Sequence, residues 1–176
     1  MIKKKGVAKL NIRLLADDCG VSSTAVYRHY DSKEHLLAVL AEDSLKVLQD
    51  AMLRQEDPKR LQKMGVAYVQ FAVQNSVQFR LMLDPVIDKT KFSSLLKKYQ
   101  ETYNIVHAEV EKCVKNGLMV GNIENLTCTA WATVHGTALL LLDKHLPINS
   151  QFDSAKIAFN ITAIVGRGLS RVDMPE

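Results

Sequence analysis

Apolar side chains recur along most of this chain three and four residues apart, the spacing of helices that bury one face. The first such stretch is IRLLADDC, where Ile12, Leu15 and Cys19 share a face. Asn11 before it is a good N-cap, and Gly20 after it can take the positive φ that ends a helix. Ser22 can cap a second helix over Ser23–Tyr30, which Asp31 and Ser32 break. Ser32 can cap a third, in which Leu36, Leu37, Leu40, Leu45 and Leu48 carry an apolar stripe towards Gln55. The same spacing predicts helices over Lys59–Gln74, Ser76–Leu83, Phe92–Asn116, Asn125–Leu146 and Asp153–Arg171. Pro58, Asp84-Pro85, Gly117 and Pro147 supply the breaks. No run sustains the alternation of a strand, and no repeat or low-complexity segment is present. The pattern therefore predicts an all-α fold, with a helix-turn-helix unit over residues 1–45 and a larger helical body over residues 46–176.

Composition agrees. Almost half of the 176 residues are hydrophobic, enough for a core, while eight glycines and four prolines favour long helices over many short strands. Cys19, Cys113 and Cys128 are scattered and odd in number, which argues against a disulfide framework and fits a reducing cytoplasm. MIKKKG is basic, but no apolar segment of a secretory signal follows it. The longest apolar runs, such as Ala138–Leu142, are too short for a bilayer, so no membrane partner is expected.

Enzyme chemistry finds little support. The histidines form no HExxH, and the cysteines have no zinc-finger spacing. Neither a G-x-S-x-G elbow nor a phosphate-binding loop occurs. Cys113 follows His107 by six residues, which puts them on different faces of a helix. No catalytic residue, metal site or cofactor is expected.

Charge singles out the N-terminal end. Residues 1–35 carry seven basic and four acidic side chains, which accounts for +3 of the net +4. A basic segment on a near-neutral body suggests an anionic partner there. That end contains CGVSSTAVYRHYDSKEHLL, residues 19–37. A helix, a glycine turn and a second helix of this size suit DNA, with the second helix entering the major groove N-terminus first. Ser22, Ser23 and Thr24 stand at that end, small enough for close approach and able to donate or accept. Ala25 could offer a methyl contact to thymine. Tyr27, Arg28 and His29 suit phosphate oxygens. Lys33 falls in the first turn of the third helix, where an ammonium opposes the helix dipole and is easier to understand facing an anion. The plainer reading stands beside this: Ser22 and Ser32 are N-caps, Val21, Val26 and Tyr30 are core, and Tyr27 is a packing or surface residue. Helix-turn-helix pairs alone do not choose between the two.

The string itself goes further. GVSSTAVYRHYDSKEHLL resembles the TetR family of transcriptional regulators, whose signature runs Gly-Val-Ser, small residues, a tyrosine and aromatic cluster, a short break and Ser-Lys-Glu-x-Leu-Leu. The likeness runs from Gly6 to about Leu40 and includes Leu15-Ala16. It implies that Ser23, Thr24 and Ala25 face bases while Tyr27, His29 and Lys33 hold the DNA backbone. Members of that family carry a full helix before the glycine that matches Gly6, where this sequence has only MIKKK. A chain that truly began at Met1 would lack a third of the core of this unit, and weak operator binding is then expected.

The body carries a second signal, TAWATVHGTALLLLDKHL. Trp131 and His135 are four apart and share a helix face, and Gly136 in mid-helix costs about 1 kcal/mol against alanine. Close approach of another helix or a ligand is its expected compensation. Trp131 and His135 read either as packed core or as the wall of an apolar cavity with one polar anchor. Phe71, Phe79, Met82, Tyr103 and His107 are the further candidates for that wall, each also readable as core. Trp-x-x-x-His-Gly, NSVQFRLMLDP and the NGLMVGN turn resemble the WHG-type C-terminal domain of some TetR-like regulators. That likeness spans roughly residues 60–170. It implies a ligand-sensing, dimerising domain whose last two helices form a four-helix interface, with Gly166 and Gly168 permitting tight contact.

The expected function is a ligand-responsive regulator, a homodimer on a palindromic double-stranded operator, repressing until a small apolar or amphipathic effector releases it. The alternative is a protein-interaction or ligand-binding helical dimer with a degenerate DNA-binding head.

Overall fold

The computed structural model describes residues 11–145 and 153–169, and among them every regular element is helical. Gly6 with the residues before it, and Leu146, Pro147 and Arg171, lie outside the described residues. In chain order the α-helices are α1 (Ile12–Asp18), α2 (Ser23–Tyr27), α3 (Lys33–Leu53), α4 (Arg60–Gln74), α5 (Ser76–Leu83), α6 (Ser93–Lys115), α7 (Ile123–Leu142) and α8 (Ser154–Leu169). A 3-10 turn, Lys89–Lys91, precedes α6.

The ends follow from capping chemistry. Asn11 accepts from the Arg13 N–H at 2.8 Å, and Gly20 at φ +69 closes α1. The N–H groups of Gly20 and Val21 donate back to Asp17 and Ala16 at 3.1 and 2.9 Å, the Schellman arrangement. Ser22 and Ser32 both cap, accepting from Ala25 N–H at 3.1 Å and His35 N–H at 3.0 Å. The second helix stops at Tyr27, three residues short of the expected Tyr30, because the His29 N–H bonds to Val26 and tightens the last turn. The seventh begins at Ile123 rather than Asn125, since Asn122 caps it by accepting from Asn125 N–H at 2.9 Å. It ends at Leu142 rather than Leu146. Lys144 takes φ +55 there, and the His145 N–H returns to Leu140 at 3.1 Å. No glycine marks this stop, so the pattern overran it.

The helices group into two compact units. Met1–Lys46 and Val77–Tyr99 form the first; Val47–Ser76 and Gln100–Glu176 form the second. The boundary expected after residue 45 has a counterpart at Lys46–Val47, but Val77–Tyr99 groups with the N-terminal unit rather than with the body. In the first unit Ile12, Ala16, Leu37, Leu45, Phe79 and Leu95 are among the buried apolar residues. The segment before α6 is tied to α3 by polar contacts. Glu34 accepts from the Asp88 N–H at 2.9 Å and lies 3.5 Å from Lys91. Ser94 donates to Glu42 at 2.5 Å, and the His35 ring stacks on Phe92 with centroids 5.9 Å apart. The Tyr99 hydroxyl donates to the Met82 carbonyl.

In the second unit α4 packs on α7 and α8, which also pack on each other. Two buried polar pairs fix its register. Gln49 donates to Thr102 at 2.9 Å, and Arg60 pairs with Glu109 at 3.0 Å while also donating to the Gln55 carbonyl. Gly65 is the point of close approach: a Cβ built there meets Thr162 Cγ2 at 2.9 Å and Val134 Cγ1 at 3.0 Å. The expectation put that approach at Gly136 instead. Within the protomer nothing lies within 4 Å of a Cβ at Gly136, nor at Gly166 or Gly168.

Candidate functional site

The first candidate surface is built on α2. The Schellman turn after α1 and the Ser22 cap set its direction, and it packs on α1. None of its five residues is buried, so the helix keeps an open side. Ser22, Thr24, Tyr27, Arg28 and His29 are exposed, while Ser23, Ala25 and Lys33 are half-buried. Ser22 Oγ is engaged in the cap and keeps its own proton to donate. Thr24 and Tyr27, the latter 51% exposed, reach outward with nothing of the core above them. Val21 was expected in the core, yet it is 45% exposed, because it sits outside the turn that closes α1. Val26 and Tyr30 are half-buried. Lys33 occupies the first turn of α3 as the spacing required, one residue after the Ser32 cap.

The second candidate is a cavity of about 510 Å³ inside the second unit. Its walls include Met64, Gly65 and Tyr68 from α4, Trp131 and Val134 from α7, and Phe159 and Thr162 from α8. The volume falls within the roughly 300–1,000 Å³ of small-molecule sites. The wall is mostly apolar, and its rings are ordered against one another. Tyr68 meets Trp131 edge to face, with centroids 5.9 Å apart at 64°. Its hydroxyl lies 2.8 Å from His135 Nδ1. Burial pushes the His135 pKa down from its ordinary value, so the ring is held neutral and can accept the phenolic proton. The polar anchor of the wall is thus Tyr68, with His135 behind it.

The seven residues expected around a cavity separate. Trp131 lines it. His135 reaches it through Tyr68, and Tyr103 stands behind Trp131 with centroids 6.3 Å apart. His107 is a further step away, 6.0 Å from the Tyr103 ring. Phe71 is not on this wall; it is 4% exposed in the second unit's core. Phe79 and Met82 belong to the first unit, at 0% and 3% exposure, and do not line this cavity. Their helical spacing was core spacing. Tyr68, Gly65, Phe159 and Thr162 were missed as wall residues. A glycine three residues before a tyrosine on an apolar stripe was the available clue.

Among the described residues no helix is long and apolar enough to cross a membrane. The tetR-family model of bacterial regulatory proteins matches residues 1–40, and the model of the tetracyclin repressor-like C-terminal domain matches residues 61–161. The chain is 26% identical over 187 residues to the uncharacterized HTH-type transcriptional regulator YerO of Bacillus subtilis (strain 168). That match covers 97% of this chain and 62% of the relative, so the chain spans under two thirds of that relative's length. Among solved structures it is similar to a protein of unknown function from Rhodococcus sp. RHA1, with TM-score 0.81, 25% identity, and 97% of this chain and 90% of that chain covered. The TetR family transcriptional regulator PfmR from Thermus thermophilus shares the fold, with TM-score 0.74, 20% identity, and coverage of 97% and 94%. With both family models matched, one of them across more than half its length, this chain belongs to the TetR family of bacterial regulatory proteins.

Proposed function

We propose that this protein is a DNA-binding transcriptional regulator that reads a palindromic operator as a homodimer and releases it when a small apolar or amphipathic effector enters the second unit. The observation that carries the reading is α2: a capped helix with no buried residue, bearing Ser23, Thr24 and Ala25 at its start and Tyr27 at its end. Ser23, Thr24 and Ala25 are assigned to base edges. Tyr27, Arg28, His29 and Lys33 are assigned to phosphate oxygens, with Ser22 adding a hydroxyl donor.

Support for a homodimer through the last two helices comes from their exposed apolar side chains. Leu140 on α7 and Phe159 and Ile164 on α8 are 42%, 50% and 60% exposed. Two recognition helices related by a two-fold read two half-sites, which one short helix cannot do alone. The cavity of the second unit is the effector's place in this reading. An effector that favours one spacing of the two heads shifts the population away from the operator-bound form. Repression, with the effector as inducer, is the mode proposed.

Selection of bound DNA from a random pool tests the reading. The expected product is a palindrome whose half-sites lie about 10 base pairs apart or a multiple of that, held by two chains. A dimer that enriches no sequence would sink the reading and leave the interaction protein in its place. Capture of a single half-site by one chain would sink the dimeric part.

A further inference from the structure

The charges around the cavity of the second unit share one sign. Lys59 and Arg167 are among its lining residues, and no aspartate or glutamate of the described chain is. The interior wall, from Met52 and Met64 to Trp131, Val134 and Phe159, is uncharged. Tyr68 is paired with His135, and burial keeps that imidazole in its neutral form. Lys59 stands at the start of α4 in the left-handed region, φ +64, and makes no side-chain cap bond, so the positive end of α4 adds to its own charge. No acidic residue occupies the first turn of α4 to offset either. An apolar enclosure whose only charged lining is cationic penalises a cationic ligand and rewards an anion on an apolar body.

We propose that the cavity selects monoanionic amphipathic molecules, with the apolar body against Trp131, Met64 and Val134 and the anionic group held by Lys59 and Arg167. This rests on the reading that the second unit receives a small molecule, and it names the chemical class of that molecule. Electrostatic complementarity of this kind discriminates among ligands of equal apolar area, since the body contributes alike to each.

Trp131 is the chain's single tryptophan and lines the cavity, so its emission reports occupancy without DNA. Three probes of the same chain length serve: decanoate, decan-1-ol and decyltrimethylammonium, each below its micellar concentration at pH 7. Decanoate is expected to bind more tightly than the alcohol by about ten-fold, the worth of one charge-assisted hydrogen bond, with the cation weakest. Lys59→Gln with Arg167→Gln should bring decanoate to the alcohol's affinity and leave the alcohol's own affinity unchanged. Single variants locate the larger share.

Equal binding of acid and alcohol, tightest binding of the cation, or an anion preference that survives in the double variant overturns the proposal. So does an emission that ignores all three probes and changes only as the protein dimer is diluted, for then a second copy fills the space. Decanoate that binds with the expected preference yet leaves the operator complex intact supports the ligand class and counts against effector-controlled release.

Discussion

Gly65→Ala and Gly136→Ala make the same chemical change in two helices and are expected to move stability in opposite directions. Both replace a mid-helix glycine, and each gains about 1 kcal/mol in helix propensity. At Gly136 nothing within the protomer lies within 4 Å of the new methyl, so the gain survives. At Gly65 the methyl lands 2.9 Å from Thr162 Cγ2 and 3.0 Å from Val134 Cγ1. Both neighbours sit on packed helices, and forcing a methyl between them costs about 1–3 kcal/mol. Since propensity cancels in the comparison, the two variants should differ by the overpacking cost alone. Urea unfolding measures it. With a slope of about 2 kcal/mol per molar, a 2 kcal/mol gap separates the midpoints by about 1 M. Adding Thr162→Ser to Gly65→Ala removes the nearer methyl and keeps the hydroxyl that donates to Ala158 at 2.7 Å, so part of the loss should return. A Gly65→Ala variant as stabilised as Gly136→Ala would refute the packing of α4 on α7 and α8 described above.

Two further outcomes follow from the second unit. Arg60→Met leaves Glu109, whose side chain is 8% exposed, with Lys112 at 3.5 Å as its remaining cation, and should lower unfolding stability by about 3 kcal/mol. Arg60→Met with Glu109→Leu should recover most of that loss in the same urea assay, and a near-neutral single variant would contradict the buried pair. His135 is held below its ordinary pKa by burial, so the unfolded chain binds more protons than the native one as pH falls below about 6.5. Its contribution is therefore full above that pH and is lost on acidification. His135→Gln should show a smaller drop in melting temperature between pH 7.5 and pH 5.5 than the parent, and an identical drop in both would contradict the assignment.

Much of this was legible in the sequence. Asn11, Gly20, Ser22 and Ser32 announce the ends of the first helices because capping is local chemistry, and each makes the expected bond or turn. Helix identity was equally legible, since apolar spacing reports it directly. What stayed hidden is tertiary. Val77–Tyr99 joins the first unit through Glu34, Glu42 and His35, contacts made by residues about fifty apart in the chain, which no window on the sequence reveals. The same limit applied to the cavity. Phe79 and Met82 fit a helical stripe as well as Tyr68 does, and only packing decides which stripe faces a void. Lys144 stops α7 with a positive φ that a lysine rarely takes, so that end could not be read from residue type.

The central claim is that α2 lies in a groove with Lys33 on the backbone beside it. The most direct measurement is the salt dependence of binding to the selected palindrome for the parent, Lys33→Ala and Thr24→Ala. Lys33→Ala should weaken binding to specific and random DNA alike and reduce the magnitude of the log–log salt slope by about 1 per head. Thr24→Ala should keep the slope and change which half-site is preferred. A Lys33→Ala protein with unchanged affinity and slope, or a Thr24→Ala protein with unchanged preference, would contradict the placement of α2 on DNA.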